Sequence, residues 1–353
     1  MATLRPFADF QRLDAIRAPL PDLMGELQRH LDACIGLDSL VVHWYGPDGG
    51  MRDFYADAGW AAPAVRGYLA DYEHHRPAYQ RSALERLADP RPFALQAREL
   101  ERRPVHESVL RPLGLDAVLN LPLSAPGLRA ILGCARSGQR PFGAAELRHM
   151  ERLRPALEAL LAANAAAQAG TEAAPLEQHG AGLLLLRTDG EVVQACSLGQ
   201  RLLALLQGTD QGRPWQELRV RLHQALLTAE RPGDAQDLVF QLSEGRYLAQ
   251  LRALTPLQDG GAGLVAVELT RLLSPQLPLL TLARRHGWSR RELQIAWRLL
   301  EGDSLEAIAR ALGIATTSIK THCRSLYGRT GVADRAAFAR WVNQQMQGGS
   351  SRG

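Results

Sequence analysis

The stretch from Trp288 to Val342 constrains this chain most, because its caps and breaks leave room only for short helices joined by tight turns. Ser289-Arg290-Arg291-Glu292 has the form of a capping box, in which hydroxyl and carboxylate satisfy each other's orphan backbone amides at a helix start. Leu293, Ala296, Trp297 and Leu300 follow at i, i+3, i+4 and i+7 and predict one apolar stripe. Gly302-Asp303-Ser304 breaks that helix and offers a new N-cap. Leu305, Ile308, Ala309 and Leu312 repeat the spacing, and Gly313-Ile314-Ala315 is the next turn.

A third helix, about Thr316 to Gly328, has two faces of opposite character. Ile319, Cys323 and Leu326 fall at i, i+4 and i+7 and are predicted to face the other helices. Thr317, Lys320, Thr321 and Arg324 fall at i, i+3, i+4 and i+7 on the far side, flanked by Ser318 and His322. Hydroxyls and cations in a row on a short helix suit a groove edged by phosphates and base acceptors, so these six are the candidate DNA-contact residues. Gly331 is placed to end the helix and Asp334 to cap a fourth, whose Phe338, Trp341 and Val342 form an apolar edge with a dimer seam as one use. The bland alternative is a four-helix packing unit with a merely solvated charged face.

Block by block, Trp288-Ser-Arg-Arg-Glu292, Glu301-Gly-Asp-Ser-Leu-Glu-Ala-Ile-Ala309, Leu312-Gly-Ile314, Ser318-Ile-Lys-Thr-His322, Leu326-Tyr327 and Gly331-Val332 resemble the LuxR-type helix-turn-helix over about 55 residues. The resemblance implies double-stranded DNA as partner, with the Lys-Thr-His region of the third helix, here Lys320, Thr321 and His322, on the DNA. It also implies a transcription regulator, an activator, acting as a homodimer and touching RNA polymerase. Ala315 stands where a capping Ser is common, which leaves Thr316 as the expected cap. Cys323 and Thr330 stand where Leu is frequent.

Charge supports the same end of the chain. From Leu280 onward there are twelve Arg and Lys against five Asp and Glu, a balance of +7, while the whole chain is only +4. That is where a polyanion is expected. The chain has one lysine, Lys320. A Gly-Lys-Ser/Thr phosphate loop, a Schiff-base lysine and a kinase strand lysine are therefore all excluded. A phospho-receiver domain, which also needs a lysine, is not expected upstream. No nucleophile with a partnered base is evident either, so no enzyme and no catalytic residue is predicted. Cys34, Cys134, Cys196 and Cys323 are scattered without metal-ligand spacing; His43, His74 and His75 invite a metal or haem reading, but His74 and His75 are adjacent and cannot share a face, and no third ligand lies at a useful distance. We expect neither metal nor cofactor, and a reducing compartment. No apolar run approaches a bilayer span, and no signal peptide is seen, so a soluble cytoplasmic protein with no membrane partner is expected.

Residues 1–168 read as one sensing domain. Leu23, Leu27, Leu31 and Cys34 mark a helix, Ser39 to Tyr45 a buried strand, and Gly46 to Gly50 a turn into a strand ending near Tyr55. Strand-like runs begin at Ala117 and Leu128 after a polar middle, and a helix from Gly143 to about Gln168 closes the domain. Its Met150, Leu153, Leu157 and Leu160 form a short heptad seam, either for a dimer helix or for lying on its own sheet. Strands between an early and a late helix resemble a GAF-like fold or a LuxR-type ligand domain. Nine of the twenty aromatic residues lie between residues 44 and 93, and Trp60, Tyr68, Tyr72 and Pro77 resemble the pocket lining of such ligand domains. Arg76 stands where those domains carry Asp, against an acyl-homoserine lactone amide. The candidate ligand residues are Trp44, Tyr45, Tyr55, Trp60, Tyr68 and Tyr72, around a small organic molecule. The alternative is a tyrosine-rich core.

An Ala-rich and then polar stretch, 162–179, reads as a linker. Beyond it, Gly182–Arg187 and Glu191–Ala195 flank Thr188-Asp189-Gly190, a hairpin signal. A second hairpin turns at Ser243-Glu244-Gly245 and a last strand runs from Ala262 to Leu269. Two hairpins around a helix in residues 176–271 resemble a PAS domain. Cys196 follows the second strand and is either a redox thiol or a buried inert one. Pro275 and Pro278 suggest a second linker. The expected architecture is multidomain α+β, with GAF-like and PAS-like antiparallel sheets flanked by helices. An all-α four-helix DNA-binding domain at 280–346 and a disordered tail at 347–353 complete it. The rival function is regulation by protein contact or ligand-independent oligomerisation instead of small-molecule sensing.

Overall fold

Two sheets carry most of the chain. The computed structural model describes residues 20–349 apart from 58, 96–104, 127, 139, 169–176, 188, 209–214, 221–235, 243–244, 255–263 and 275. The first sheet follows α1 (Leu20–Ile35) and contains β1 (Ser39–Tyr45), β2 (Met51–Ala56), β3 (Phe93–Leu95), β4 (Leu115–Ala125) and β5 (Leu128–Ser137), all antiparallel, in the order β2-β1-β5-β4-β3. Between β2 and β3 the polar middle folds as two helices, α2 (Ala62–His74) and α3 (Arg76–Ala88). Each has Pro in its first turn, where the missing N–H has no intrahelical partner to lose. The closing helix α4 spans Ala144–Gln168. Its seam residues Met150, Leu153, Leu157 and Leu160 are all buried within the single chain, and Glu158 accepts from the amide of Ser124 on β4 at 3.1 Å. Of the two uses open to that seam, packing on its own sheet is the one seen.

The second sheet holds β6 (Glu177–Arg187), β7 (Val192–Ala195), β8 (Gln236–Leu242), β9 (Gly245–Leu254) and β10 (Leu264–Leu273), with α5 (Ser197–Gly208) after β7. Its order, β7-β6-β10-β9-β8, repeats that of the first sheet strand for strand. The Asp189-Gly190 turn closes as expected, with Gly190 at φ 85° and its N–H on the carbonyl of Arg187 at 2.9 Å. Helix α4 and strand β6 take up all but 169–176 of the expected linker, and those residues lie outside the described ones.

The sheets, expected as separate domains, form one compact unit of residues 20–165 and 176–273. Phe54, Trp60, Val65, Tyr68 and Leu69 share a core with Leu184, Leu202, Leu205, Val267 and Leu269. Arg201 of α5 ties the two further: its guanidinium donates to the carbonyls of Trp60 at 2.7 Å, Ala56 at 2.9 Å and Asp57 at 3.1 Å. Sequence pattern could not show this, because a core shared across more than a hundred residues leaves no local period.

The other unit is built on residues 274–349 and is all helical: α6 (Gln276–Arg285), α7 (Arg290–Leu300), α8 (Leu305–Leu312), α9 (Thr316–Thr330) and α10 (Arg335–Gly349). Pro278 belongs to the first turn of α6 and not to a linker, and Leu279, Leu280, Leu282 and Ala283 of that helix are buried. Helix α10 runs to Gly349, past the expected start of the tail at 347, and 350–353 lie outside the described residues.

Candidate nucleic-acid interface and ligand cavity

Local chemistry sets the ends of the helices in the C-terminal unit. The Ser289 hydroxyl accepts from the Glu292 amide at 3.2 Å while the Glu292 carboxylate accepts from the Ser289 amide at 2.6 Å, completing the capping box. The Ser304 hydroxyl caps α8 at the Ala307 amide, 3.1 Å away. Gly313 then turns the chain at φ 63°, left-handed backbone that favours glycine. Helix α9 has no side-chain cap: Ala315 is the N-cap and Thr316 is already helical, so Thr316 does not take over that role.

The apolar stripe of α7 is rotated from the expected one. Leu293, Ile295, Ala296 and Leu299 are buried, while Trp297 and Leu300 are half-buried. Trp288 fills the middle of the unit with no exposed surface, its ring 5.7 Å from Phe338 and 6.3 Å from Trp341. The apolar edge of α10 is used there: Phe338 and Val342 are fully buried in the same chain, so they are not a free dimer seam.

Helix α9 divides as its spacing predicts. Ile319, Cys323 and Leu326 are buried, whereas Thr317, Ser318, Lys320, Thr321 and Arg324 are exposed and His322 is half-buried. Three neighbouring arginines serve the fold. Arg335 donates to the carbonyls of Asp303 and Leu299 at 2.8 and 2.6 Å, Arg298 pairs with Asp303 at 2.8 Å, and Arg329 donates to the carbonyl of Gly287 at 2.9 Å. Lys320 and Arg324 make no ion pair or hydrogen bond among the described residues. The Thr321 hydroxyl donates back to the Thr317 carbonyl at 3.2 Å, and its side chain is exposed.

One buttress under α9 escaped the sequence. Buried Glu292 accepts from Ser325 Oγ at 2.6 Å and lies 3.6 Å from Arg329, fastening α9 to the start of α7. Burial pushes the Glu292 carboxyl up, but the Ser289 amide, Ser325 and Arg329 together hold it below the ordinary range. Only the capping half of this role shows in local spacing; the contact with Ser325 spans 33 positions.

In the first sheet, a cavity of about 160 Å³ lies under α2 and α3. Of the candidate ligand residues, Tyr45, Trp60 and Tyr68 line it. Trp44, Tyr55 and Tyr72 do not. Trp44 follows His43 and precedes Tyr45 on β1, and successive side chains of a strand point to opposite faces, so Trp44 cannot share their side. Tyr55 pairs with Val42 on that opposite face. The Tyr72 hydroxyl accepts from the amide of Met51 at 2.7 Å, which holds it to the strand edge. Sequence reasoning passed over Tyr79, Ser82 and Arg86 on α3, Phe93 on β3, and His43, Asn120, Ile131 and Gly133 on the floor. The alternation Ser39, Val41, His43, Tyr45 was the available signal for the floor. The other residues come from elements that the polar middle hid. Among the described residues no group of three or more His, Cys, Asp or Glu could hold a metal ion.

His43 is held neutral, because burial drives its pKa down to about 4 and the carbonyl of Ile131 only partly opposes this. The unfolded chain therefore binds one more proton than the folded one between its ordinary value of 6.5 and about 4. The stability this gives is present above pH 6.5 and lost as pH falls toward 4, on the order of 3 kcal/mol at the acid end. Unfolding of the sheet unit followed from pH 7.5 to 4 should show that loss, and His43→Phe should flatten it. An equal slope in both proteins contradicts the assignment.

Cys196 is exposed, against the buried, inert alternative. Slight burial pushes its thiol up, but the amides of Leu183 at 3.1 Å and Gly199 at 3.4 Å outweigh that and lower the pKa. Iodoacetamide at neutral pH should modify Cys196 first and leave buried Cys134 and Cys323 intact, as read by peptide mass spectrometry. Modification of Cys134 before Cys196 would contradict this.

Set against known proteins, residues 287–342 match the luxR family of bacterial regulatory proteins. The HTH-type transcriptional regulator MalT of Klebsiella pneumoniae is 31% identical over 171 residues, covering 42% of this chain and 19% of MalT. MalT of Yersinia pestis is 28% identical over 152 residues, 37% of this chain and 17% of that protein. The chain spans less than a fifth of the length of these relatives. Among solved structures, the VqmA-ligand-DNA complex of Vibrio cholerae is similar at a TM-score of 0.29 and 14% identity, over 47% of this chain and 83% of VqmA. The cyanobacteriochrome NpR6012g4 in its red light-absorbing state is similar at 0.30 and 15%, over 42% and 97%. The C-terminal unit carries a LuxR-type helix-turn-helix. Among the described residues no helix is long and apolar enough to cross a membrane.

Proposed function

We propose that this protein is a ligand-responsive, sequence-specific transcription regulator of the cytoplasm. It binds a two-fold symmetric operator as a homodimer, with α9 of each copy in a major groove. The observation that carries the reading is the exposed row Thr317, Ser318, Lys320, Thr321 and Arg324 on a helix whose opposite face is buried. Lys320 and Arg324 contact guanine edges or phosphates, Thr317, Ser318 and Thr321 contact phosphate oxygens or a thymine methyl, and His322 flanks them. The two sheets, GAF-like and PAS-like, are the sensing part, and a small organic molecule occupies the cavity beside Tyr45, Trp60 and Tyr68. Transcription is activated through contact with RNA polymerase, as similarity to LuxR-type regulators suggests.

Selection from random duplexes followed by fluorescence anisotropy tests the DNA half. Enrichment of a palindrome bound by two copies is expected. Recovery of no preferred sequence, with affinity equal on all duplexes, refutes it.

A further inference from the structure

We propose that the cavity of the first sheet takes a single-ring aromatic carboxylate, with its ring among Tyr45, Trp60 and Tyr68 and its carboxylate on Arg86, Ser82 and Asn120. The proposal rests on the ligand-sensing reading given above.

The cavity has two ends of different chemistry. At β1 its wall is aromatic: Trp60 and Tyr68 are buried edge to face, ring centroids 5.8 Å apart, and Tyr45 adds a third ring. Such a wall favours a flat aromatic occupant over a saturated one. The other end lies at β3, the edge strand of the sheet. There Phe93 stands directly opposite Asn120 of β4, and the Arg86 guanidinium stacks 4.1 Å over the Phe93 ring. Ser82 lies four residues before Arg86 and so shares its face of α3. Between the two ends the floor is Gly133, which pairs with Val41 on one side and Asn120 on the other. A Cβ there would come within 2.8 Å of Val41 Cγ1 and 3.2 Å of Asn120 Oδ1, so the middle of the floor stays free of a side chain.

Polar atoms near the rings are committed. Ser39 Oγ accepts from Trp60 Nε1 at 3.0 Å and donates to Asp57 at 2.7 Å, and the Tyr68 hydroxyl reaches Met51 Sδ at 3.6 Å. At the β3 end they are not. Ser82, Arg86 and Asn120 are half-buried, and their polar side-chain atoms keep accessible surface. None of the three side chains makes a hydrogen bond or ion pair among the described residues. Asp89, three residues beyond Arg86, pairs with Arg91 at 2.7 Å instead. Guanidinium, hydroxyl and amide all offer N–H or O–H donors, so together they call for an acceptor.

Charge narrows the class further. Among the described lining residues there is no Asp or Glu, and Arg86 is the one permanent cation. An ammonium compound finds no counter-charge, whereas a planar carboxylate matches the fork of a guanidinium. Desolvating a carboxylate is costly in a closed interior. The half-exposed setting of Arg86 keeps that cost small, because the ion pair stays partly hydrated. Size sets the rest. The cavity measures about 160 Å³, and a protein cavity of about 150 Å³ with apolar walls accepts benzene. One ring with a short acidic arm fits; a long acyl chain or a fused polycycle does not.

Titration calorimetry and thermal shift on the full chain test this with benzoate and phenylacetate. Benzamide and phenylacetamide remove the charge at nearly the same shape, and cyclohexanecarboxylate removes the aromatic ring. At least one of the two aromatic carboxylates is expected to raise the melting temperature and to bind at least about tenfold more tightly than its amide. It should also bind at least about threefold more tightly than cyclohexanecarboxylate. In Arg86→Gln the preference for carboxylate over amide should shrink to within about threefold. An amide that binds wild type as tightly as its carboxylate overturns the anion requirement and leaves the cavity as a ligand site. A preference that persists in Arg86→Gln overturns the placement of the carboxylate, and also excludes by that route a cation elsewhere in this basic chain. Equal binding of cyclohexanecarboxylate overturns the aromatic class. If Arg86→Gln fails to fold, the wild-type comparisons alone decide. If no carboxylate binds while another compound shifts the melting temperature, the proposal is overturned and sensing stands. Failure of every compound in a broad library overturns both.

Discussion

Replacing Lys320 and Arg324 together by alanine is expected to weaken operator binding by about thirtyfold or more, because each contact to a base edge or phosphate contributes roughly 1–3 kcal/mol. Both side chains are exposed and without an ion pair among the described residues, so the fold loses nothing that would confuse the reading. Circular dichroism and melting temperature should stay unchanged. The salt dependence separates the two kinds of contact. A cation on a phosphate contributes a slope of about 0.9 in log K against log salt, and its removal flattens the line by that amount. A cation on a guanine edge relaxes specificity at one position instead. Binding by the double variant equal to wild type would refute the placement of α9.

Trp288→Ala carries the second large effect. The indole has no exposed surface and packs against Phe338 and Trp341, so its removal leaves a cavity costing about 3–5 kcal/mol. Small units commonly have a total stability of only about 5–15 kcal/mol, so the C-terminal unit should melt far earlier and DNA binding should be lost at 37 °C. The sheet unit has a separate core and should melt as in wild type. A single transition that shifts as a whole would contradict independence of the two units. An unchanged melt would contradict the central position of Trp288.

The helix-turn-helix was legible because its information is local. Ser289, Ser304, Gly313 and Gly331 fix helix ends within three or four residues, and the inner and outer faces of α9 follow from 3.6-residue geometry alone. Legibility failed where partners are distant in sequence. The buried face of α7 is decided by α9 and α10, which is why Ile295 and Leu299 replace Trp297 and Leu300 in the core. The buttress from Glu292 to Ser325 and the clasp of Arg201 on the carbonyls of Ala56, Asp57 and Trp60 have no local signature. In the cavity, counting aromatics without sorting them by strand face brought in Trp44 and Tyr55 and left out His43. Helix α3 was missed because its apolar positions are few, with Ala83 its buried residue. Cys196 illustrates a subtler limit: its place after β7 was clear, but exposure depends on what covers that corner of the second sheet.

The central claim is that the outer face of α9 meets DNA. Photocrosslinking from a benzophenone side chain placed at Thr321, with a second protein carrying it at exposed Val220 in the sheet unit, tests this most directly on a selected duplex. Crosslinks from position 321 to bases in the major groove of each half-site, with none from position 220, are the predicted result. No crosslink from position 321 on a duplex that the protein binds would contradict it.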